Sequence, residues 1–494
     1  MPARVVVAAV FISLVANTSA QSQPKFDDLL RRIPPTANAI VVMDVAGIHE
    51  SALAKKEGWM NKHEAAFVDR PLMLPPEADR LVLASRIGRN VRTSYELAVM
   101  SLKEPLSMRS IARAERGYLD KIDGVEAVWT PSEAYFVALD PKTVGVMYPG
   151  DRQLVSRWAT SKRLGGVSQY LQAAASTVGR GSQIALALDL NNAVEPHRLD
   201  ELIETSPTLQ KSKVDVNKLS PLLLGLKGIT LQISITDAAR GEFRIDFSQP
   251  ITLKESLIKS LLLEGLANFG ASIDDLEDWN ASVSGDSVLL TGPLSKSGLR
   301  RILSVLEIPT TKFSSVADES LDELTSDAEI ASASRAYFKS VTVLLDDLHT
   351  DRDKRDTRGG KDAVWMDRYA KKIDRLPILN VDEELLVFGT NCAETLRVMA
   401  TARRGAGLSA GTRVANAATG GYSGAYGAYS YGYGGTRVAA DLTAGNRAAS
   451  RDRAAIRSQE QNRATGTRTE GWRLIDNATG DIRKKMTAKY KIEF

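Results

Sequence analysis

An internal repeat is the feature that most constrains this chain. Tyr135-Phe136-Val137-Ala138-Leu139 alternates in apolar character, turns at Asp140-Pro141-Lys142, returns as Val144-Gly145-Val146-Met147 and ends at Pro149. At a spacing of 144 residues Trp279, Ala281 and Val283 take the same parity as Tyr135, Val137 and Leu139. Ser284-Gly285-Asp286 then makes the turn, Val288 and Leu290 return, and Pro293 closes the unit. Alternation with period two puts the apolar members of each strand on one sheet face, and the polar turn folds the pair into a hairpin. A helical stretch follows each hairpin in the same register, with Val155 and Trp158 matching Leu299 and Ile302.

Other elements keep nearly the same spacing. Ile40-Val41-Val42-Met43 ends in Asp44, and Ala185-Leu186-Ala187-Leu188 ends in Asp189. The strand pair Leu81–Ala84 and Glu96–Val99 is matched by Ile229–Ile235 and Phe243–Phe247. The shared order is strand, helix, strand, strand, helix, strand, strand, helix. A mainly antiparallel sheet with helices gathered on one face is a two-layer α+β module, and the chain is expected to hold two tandem copies, over 34–165 and 179–309.

Beyond Pro309 the pattern changes. Residues 325–404 read as a mostly helical region: one helix over Ala328–Asp347, a second over Asp362–Ile373, then a strand at Leu385–Phe388 and a helix over Ala393–Arg403, together resembling a partial third copy. Residues 405–435 are low in complexity, and Gly420–Gly435 is nearly all Gly, Tyr, Ser and Ala, the composition of a flexible linker. The stretch 436–494 holds 13 basic and 7 acidic residues, while the whole chain is only +4, so the basicity is local. Its last residues alternate from Lys489 to Phe494 and are expected to form a C-terminal hairpin with Trp472–Ile475 across Gly480.

The N-terminus carries an address. Arg4 precedes an apolar run from Val5 to Ala16, and Asn17-Thr18-Ser19-Ala20 offers small residues for cleavage before Gln21. That layout is a secretory signal peptide over 1–20, shorter than the roughly 20 apolar residues a spanning helix needs. The expected location is the periplasm or the extracellular space, with no transmembrane helix in the mature chain. With 494 residues the chain can bury sizeable cores without disulfides, and its one cysteine, Cys392, allows no intramolecular bridge. Cys392 reads as a packed thiol rather than a nucleophile. The balanced charge argues against specific nucleic-acid binding; the basic tail suits an anionic envelope polymer or lipid.

No set of residues names a reaction. Asp44 and Asp189 stand at equivalent places after a strand, where two carboxylates could face each other across a cleft as acid and base; an Asp there is also an ordinary helix cap. Ser256 and Lys259 have the Ser-x-x-Lys spacing of penicillin-recognising enzymes, and Lys296-Ser297-Gly298 is similar to their later Lys-Thr-Gly box, but the middle element is missing. Gly405 to Gly411 follows a helix instead of a strand, so it fails as a phosphate cradle. His349, Asp351, Asp353 and Asp356 lack EF-hand spacing and are interleaved with Arg352, Lys354 and Arg355. No cofactor or metal is expected.

The opening Ile33-Pro34-Pro35-Thr36-Ala37-Asn38-Ala39, the Lys55-Lys56-Glu57-Gly58-Trp59 stretch, Leu376 to Glu383 and Met486-Thr487-Ala488-Lys489-Tyr490 resemble the large uncharacterised secreted proteins of planctomycete bacteria. The resemblance implies an envelope location, has no known activity attached and carries over no functional residue. The expectation is an exported envelope protein that binds or scaffolds without catalysis. The alternative is an envelope hydrolase with carboxylates or a Ser/Lys pair in a cleft between the modules.

Overall fold

The computed structural model describes residues 25–60, 74, 77–88, 93–304, 327–349, 363–422 and 466–494, with short breaks at 116, 161–165, between 197 and 205, at 213–215, at 269–270 and between 375 and 379. The expected signal peptide, His349's acidic neighbours and most of the Tyr-rich run lie outside the described residues.

The first half runs α1 (Asp27–Leu30), β1 (Ala39–Asp44), α2 (Val45–Glu50), α3 (Ala52–Lys56), β2 (Ala78–Ile87), β3 (Thr93–Leu102), α4 (Met108–Ala114), β4 (Tyr118–Ile122), β5 (Val125–Thr130), β6 (Ala134–Asp140), β7 (Thr143–Tyr148) and α5 (Arg152–Thr160). After α6 (Gln169–Ala175) the second half runs β8 (Ile184–Asp189), α7 (Pro207–Lys211), α8 (Val216–Leu224), β9 (Leu226–Ile235), β10 (Ala239–Phe247), α9 (Glu255–Asn268), α10 (Asp275–Asp278), β11 (Asn280–Ser284), β12 (Ser287–Pro293) and α11 (Lys296–Leu303). Then come α12 (Asp327–His349), α13 (Ala363–Asp374), α14 (Glu383–Tyr422) and a terminal helix, α15, over 466–490.

The α+β class and the helical C-terminal region hold. The strands form one antiparallel 12-stranded sheet in the order β11-β12-β10-β9-β8-β1-β2-β3-β7-β6-β5-β4. Outward from the centre the halves read β1-β2-β3-β7-β6 and β8-β9-β10-β12-β11, the same order twice, and they join through antiparallel β1 and β8. Ile40 pairs with Ala187 and Val42 with Ala185. Because Ile40 and Ala185 are equivalent in the repeat, as are Val42 and Ala187, these pairs exchange under a twofold axis normal to the sheet. The halves share this five-strand order, the first extended by β5 and β4, and the β1/β8 junction makes them one continuous sheet.

Alternation sets the layers. In β10, Gly241, Phe243, Ile245 and Phe247 point to one face, and Arg240, Glu242 and Arg244 are exposed on the other. The first face buries a single continuous cluster that takes in β1–β3, β6–β7, β9–β12, α2, α4, α11 and the C-terminal helices. On the opposite face the first half is covered as well, by Phe26, Leu29 and Leu30 of the α1 segment, Val155 and Trp158 of α5, and Leu171, Ala174 and Ala175 of α6. Gly241 pairs directly with Gly292, and the Trp279 indole lies across both, leaving no room for a Cβ at either position.

The expected match is corrected in two places. Val155 and Trp158 of α5 pack on the opposite sheet face from Leu299 and Ile302 of α11, so these helices are not equivalent and the helices are not gathered on one face. The second lies in the strands. Tyr135 packs on the α5/α6 face and Trp279 on the other, so the two are not equivalent. The cause is a bulge: Ala138 pairs with Val144 and Asp140 with Thr143, leaving Leu139 as an extra residue in β6. The counterparts of Trp279, Ala281 and Val283 are therefore Ala134, Phe136 and Ala138, which share their face. Past the bulge, Val144 and Val146 match Val288 and Leu290 as expected.

Two expected strands are helical. Leu385–Phe388 opens α14, where Asp382 accepts from Glu384 N (2.9 Å) and Leu385, Phe388, Cys392, Leu396 and Met399 recur at helical spacing into the core. An unbroken apolar run of four has no period of its own, and the flanking cap decides it. No C-terminal hairpin forms: α15 continues through Gly480, and Trp472, Ile475, Ile482 and Met486 make one buried face. The low-complexity stretch is also helical as far as Tyr422, where α14 ends.

Candidate functional site

Asp44 ends β1 and caps α2. Its Oδ1 accepts from Gly47 N (3.2 Å), and its Oδ2 pairs with Lys25 Nζ (2.7 Å). Asp189 ends β8, and its Oδ1 accepts from Asn191 N (3.0 Å). Both are turn and cap residues. The twofold that makes them equivalent also separates them: Asp44 N donates to Gln183 O, whereas Asp189 N donates to Asn38 O. They stand at opposite ends of the β1/β8 pair, about 20 Å apart at roughly 3.4 Å per residue, too far to act on one atom.

Ser256 is exposed on α9. Lys259, one turn on, donates to Glu277 O (2.6 Å) and Trp279 O (2.6 Å) where α10 meets β11. The lysine binds a helix end to a sheet edge, and its protons are taken by backbone oxygens. Lys296 begins α11 and pairs with Glu57 (2.8 Å). Cys392 is buried in α14, and desolvation pushes its thiol up to about 12. Gly405 to Gly411 lie inside α14 with no strand before them. Among the described residues no cluster of His, Cys, Asp and Glu could hold a metal ion. A cavity of about 320 Å³ between α1 and α6 is lined by Phe26, Leu30, Ala173, Asp27, Gln169 and Gln172.

Exposed aromatic and charged groups come together at the β4 edge. Tyr118, Trp129 and Tyr135 stand in register across β4, β5 and β6. Tyr118 and Trp129 stack with centroids 5.2 Å apart and planes at 25°. The row grades outward, from Tyr135 at 4% exposure to Tyr118 at 55%. Two residues along β4 on the same face, Asp120 accepts from Tyr135 OH (3.0 Å), from Lys121 N (2.7 Å) and from the Arg152 guanidinium. Arg152 also donates to Lys121 O (3.0 Å). Burial alone would raise the Asp120 carboxyl, but these hydrogen bonds outweigh it and hold the group below the usual carboxylate range. Burial and the Asp120 bond push the Tyr135 hydroxyl up.

This hairpin escaped the sequence reading, although its signal was present. Asp123-Gly124 between two short apolar segments is a strong hairpin turn, and both residues adopt positive φ, 47° and 87°.

The basic C-terminal stretch is partly neutralised by its own fold. Arg473 pairs with Glu470, Arg483 with Glu493, Lys485 with Glu384 and Lys489 with Asp382. Among the described residues no helix is long and apolar enough to cross a membrane.

No protein-family model and no curated protein matches the chain. Among solved structures, crystal forms III and I of TP0453, a Treponema protein, align at TM-scores of 0.34, with 13% and 14% identity. They cover 55% and 56% of this chain and 95% and 98% of theirs. The likeness is too slight to transfer a fold or a function.

Proposed function

We propose that this chain is an exported cell-envelope protein that binds or scaffolds without catalysis. The leader over 1–20 supports export to the periplasm or beyond. The observation that carries the non-catalytic reading is the antiparallel junction of the halves, which holds Asp44 and Asp189 at opposite ends of one strand pair. Each is occupied as a cap, and Lys259 is occupied by two carbonyls. Retention in the envelope is assigned to surface contacts, with exposed basic groups of the terminal stretch such as Lys484 and Lys491 facing anionic polymer or lipid.

The test is fractionation of cells expressing the tagged full chain. The expected result is a chain beginning at Gln21, recovered with the envelope and released by salt, with Asp189→Asn and Ser256→Ala retained as well as wild type. Lys484→Glu combined with Lys491→Glu should lower the salt needed for release; deletion of 436–494 would confuse the result by removing Trp472 and Met486 from the core. An unprocessed cytosolic chain would overturn the reading, as would hydrolysis of an envelope polymer that Asp44→Asn, Asp189→Asn or Ser256→Ala abolishes.

A further inference from the structure

The geometry points to a saccharide-binding platform on the edge of the sheet, made by the Tyr118–Trp129 pair with Asp120 and Arg152, whose ligand is a pyranose ring of a glycan chain. It rests on the binding reading above and names the surface and the ligand class.

Tyr118 is an exposed aromatic with a fixed orientation. Its inner face lies on Trp129, and Trp129 is itself backed by Tyr135 in the next strand, so the outer ring face is presented to solvent without freedom to fold away. A rigid ring loses little conformational entropy on binding.

Polar groups border the platform on one side. Asp120 lies on the same strand face as Tyr118, and its carboxylate is held ionised and oriented by Tyr135, Lys121 N and Arg152. The Arg152 guanidinium has five N–H groups, and its side chain is 55% exposed. An acceptor and a donor fork beside a flat apolar surface complement a ring with one apolar C–H face and a rim of hydroxyls. A nucleobase would also stack, but its phosphates would meet Asp120, Asp123 and Glu126 against Lys121 and Arg152, a neighbourhood without the cationic excess that phosphate binding requires.

The test uses the full chain, with chitohexaose and cellohexaose as probes in titration calorimetry. Wild type should bind at least one of them. Tyr118→Ala should weaken it tenfold or more at unchanged thermal stability, since the ring is exposed; Tyr118→Phe should retain it, and Arg152→Ala should weaken it severalfold. Binding equal in wild type and Tyr118→Ala would overturn the proposal, as would no binding of either probe, or a loss confined to self-association of the chain. Envelope retention is scored separately: a wild type that is retained yet binds neither saccharide refutes the platform and leaves the envelope reading standing.

Discussion

Val41 and Leu186 face each other at the middle of the sheet, and the pseudo-twofold axis of the molecule passes between them. A duplication joined through its first strands turns two sheets into one and leaves two edges where there would have been four. Both edges are guarded, as exposed strands in stable proteins usually are. At β11 the Val283 N–H donates to Glu255 Oε1 (3.3 Å), and Lys259 covers the carbonyl of Trp279. At β4 the N–H and carbonyl of Lys121 are taken by Asp120 and Arg152.

The junction is expected to make the two halves unfold as one cooperative unit. Val41→Asp places an unpaired carboxylate on the axis, in a position 1% exposed, and burying it costs several kcal/mol. Hydrogen exchange should then lose protection in β2–β3 and β9–β10 together. Val41→Ala should cost about 1–3 kcal/mol in denaturant unfolding. Protection lost in one half alone would mean that the halves fold independently.

Asp347 ties the helical layer to the second half. It receives Arg300 through two bonds of 2.6 and 2.7 Å and the Tyr369 hydroxyl at 3.1 Å. The Asp347 side chain is 6% exposed and that of Arg300 12%. Asp347→Ala removes the buried acceptor of these three charge-assisted and hydroxyl hydrogen bonds, so it should destabilise by about 3–5 kcal/mol. Tyr369→Phe should cost about 1 kcal/mol. If Asp347→Ala proves neutral in urea titration, this pair does not hold the layers together.

What was legible in the sequence followed from local periodicity. Phe243, Ile245 and Phe247 announce their strand, and the equal spacing of Asp44 and Asp189 reports the duplication before any topology is known. What was hidden depends on partners distant in sequence. Leu139 is one more apolar residue in an apolar run, so nothing local marks it as the bulge that reverses the facing of Tyr135. Trp472 and Met486 make sense as a helix face only against Phe338 and Met399. The candidate platform needs three strands in register to bring Tyr118, Trp129 and Tyr135 into one row, and the Asp123-Gly124 turn was its only local sign.

Cys392 should be chemically silent in the folded chain. It is buried between α14 and its neighbours, with a thiol pushed up to about 12 by desolvation, so thiolate is scarce at neutral pH. A disulfide reagent at pH 8 should label native protein at a small fraction of the rate seen in denaturant, where one thiol per chain reacts. Rapid native labelling would show that α14 opens readily.

Docking of α15 should weaken in acid. Asp382 is desolvated, which would raise its carboxyl, but hydrogen bonds from Lys489 Nζ (2.5 Å), Tyr490 OH (2.7 Å) and Glu384 N (2.9 Å) outweigh that and lower it. A carboxyl depressed in the folded state stabilises above its unfolded pKa and ceases to do so as pH falls through the folded value. Phe494, which packs on Tyr490 and Phe338, should therefore loosen together with the end of the helix below the ordinary carboxylate range. Limited proteolysis across pH measures this: cleavage within 483–494 should rise in acid for wild type, and Asp382→Asn should be cleaved faster at neutral pH with most of the acid dependence gone. A wild-type profile flat down to the unfolding pH would show that Asp382 does not anchor the terminus.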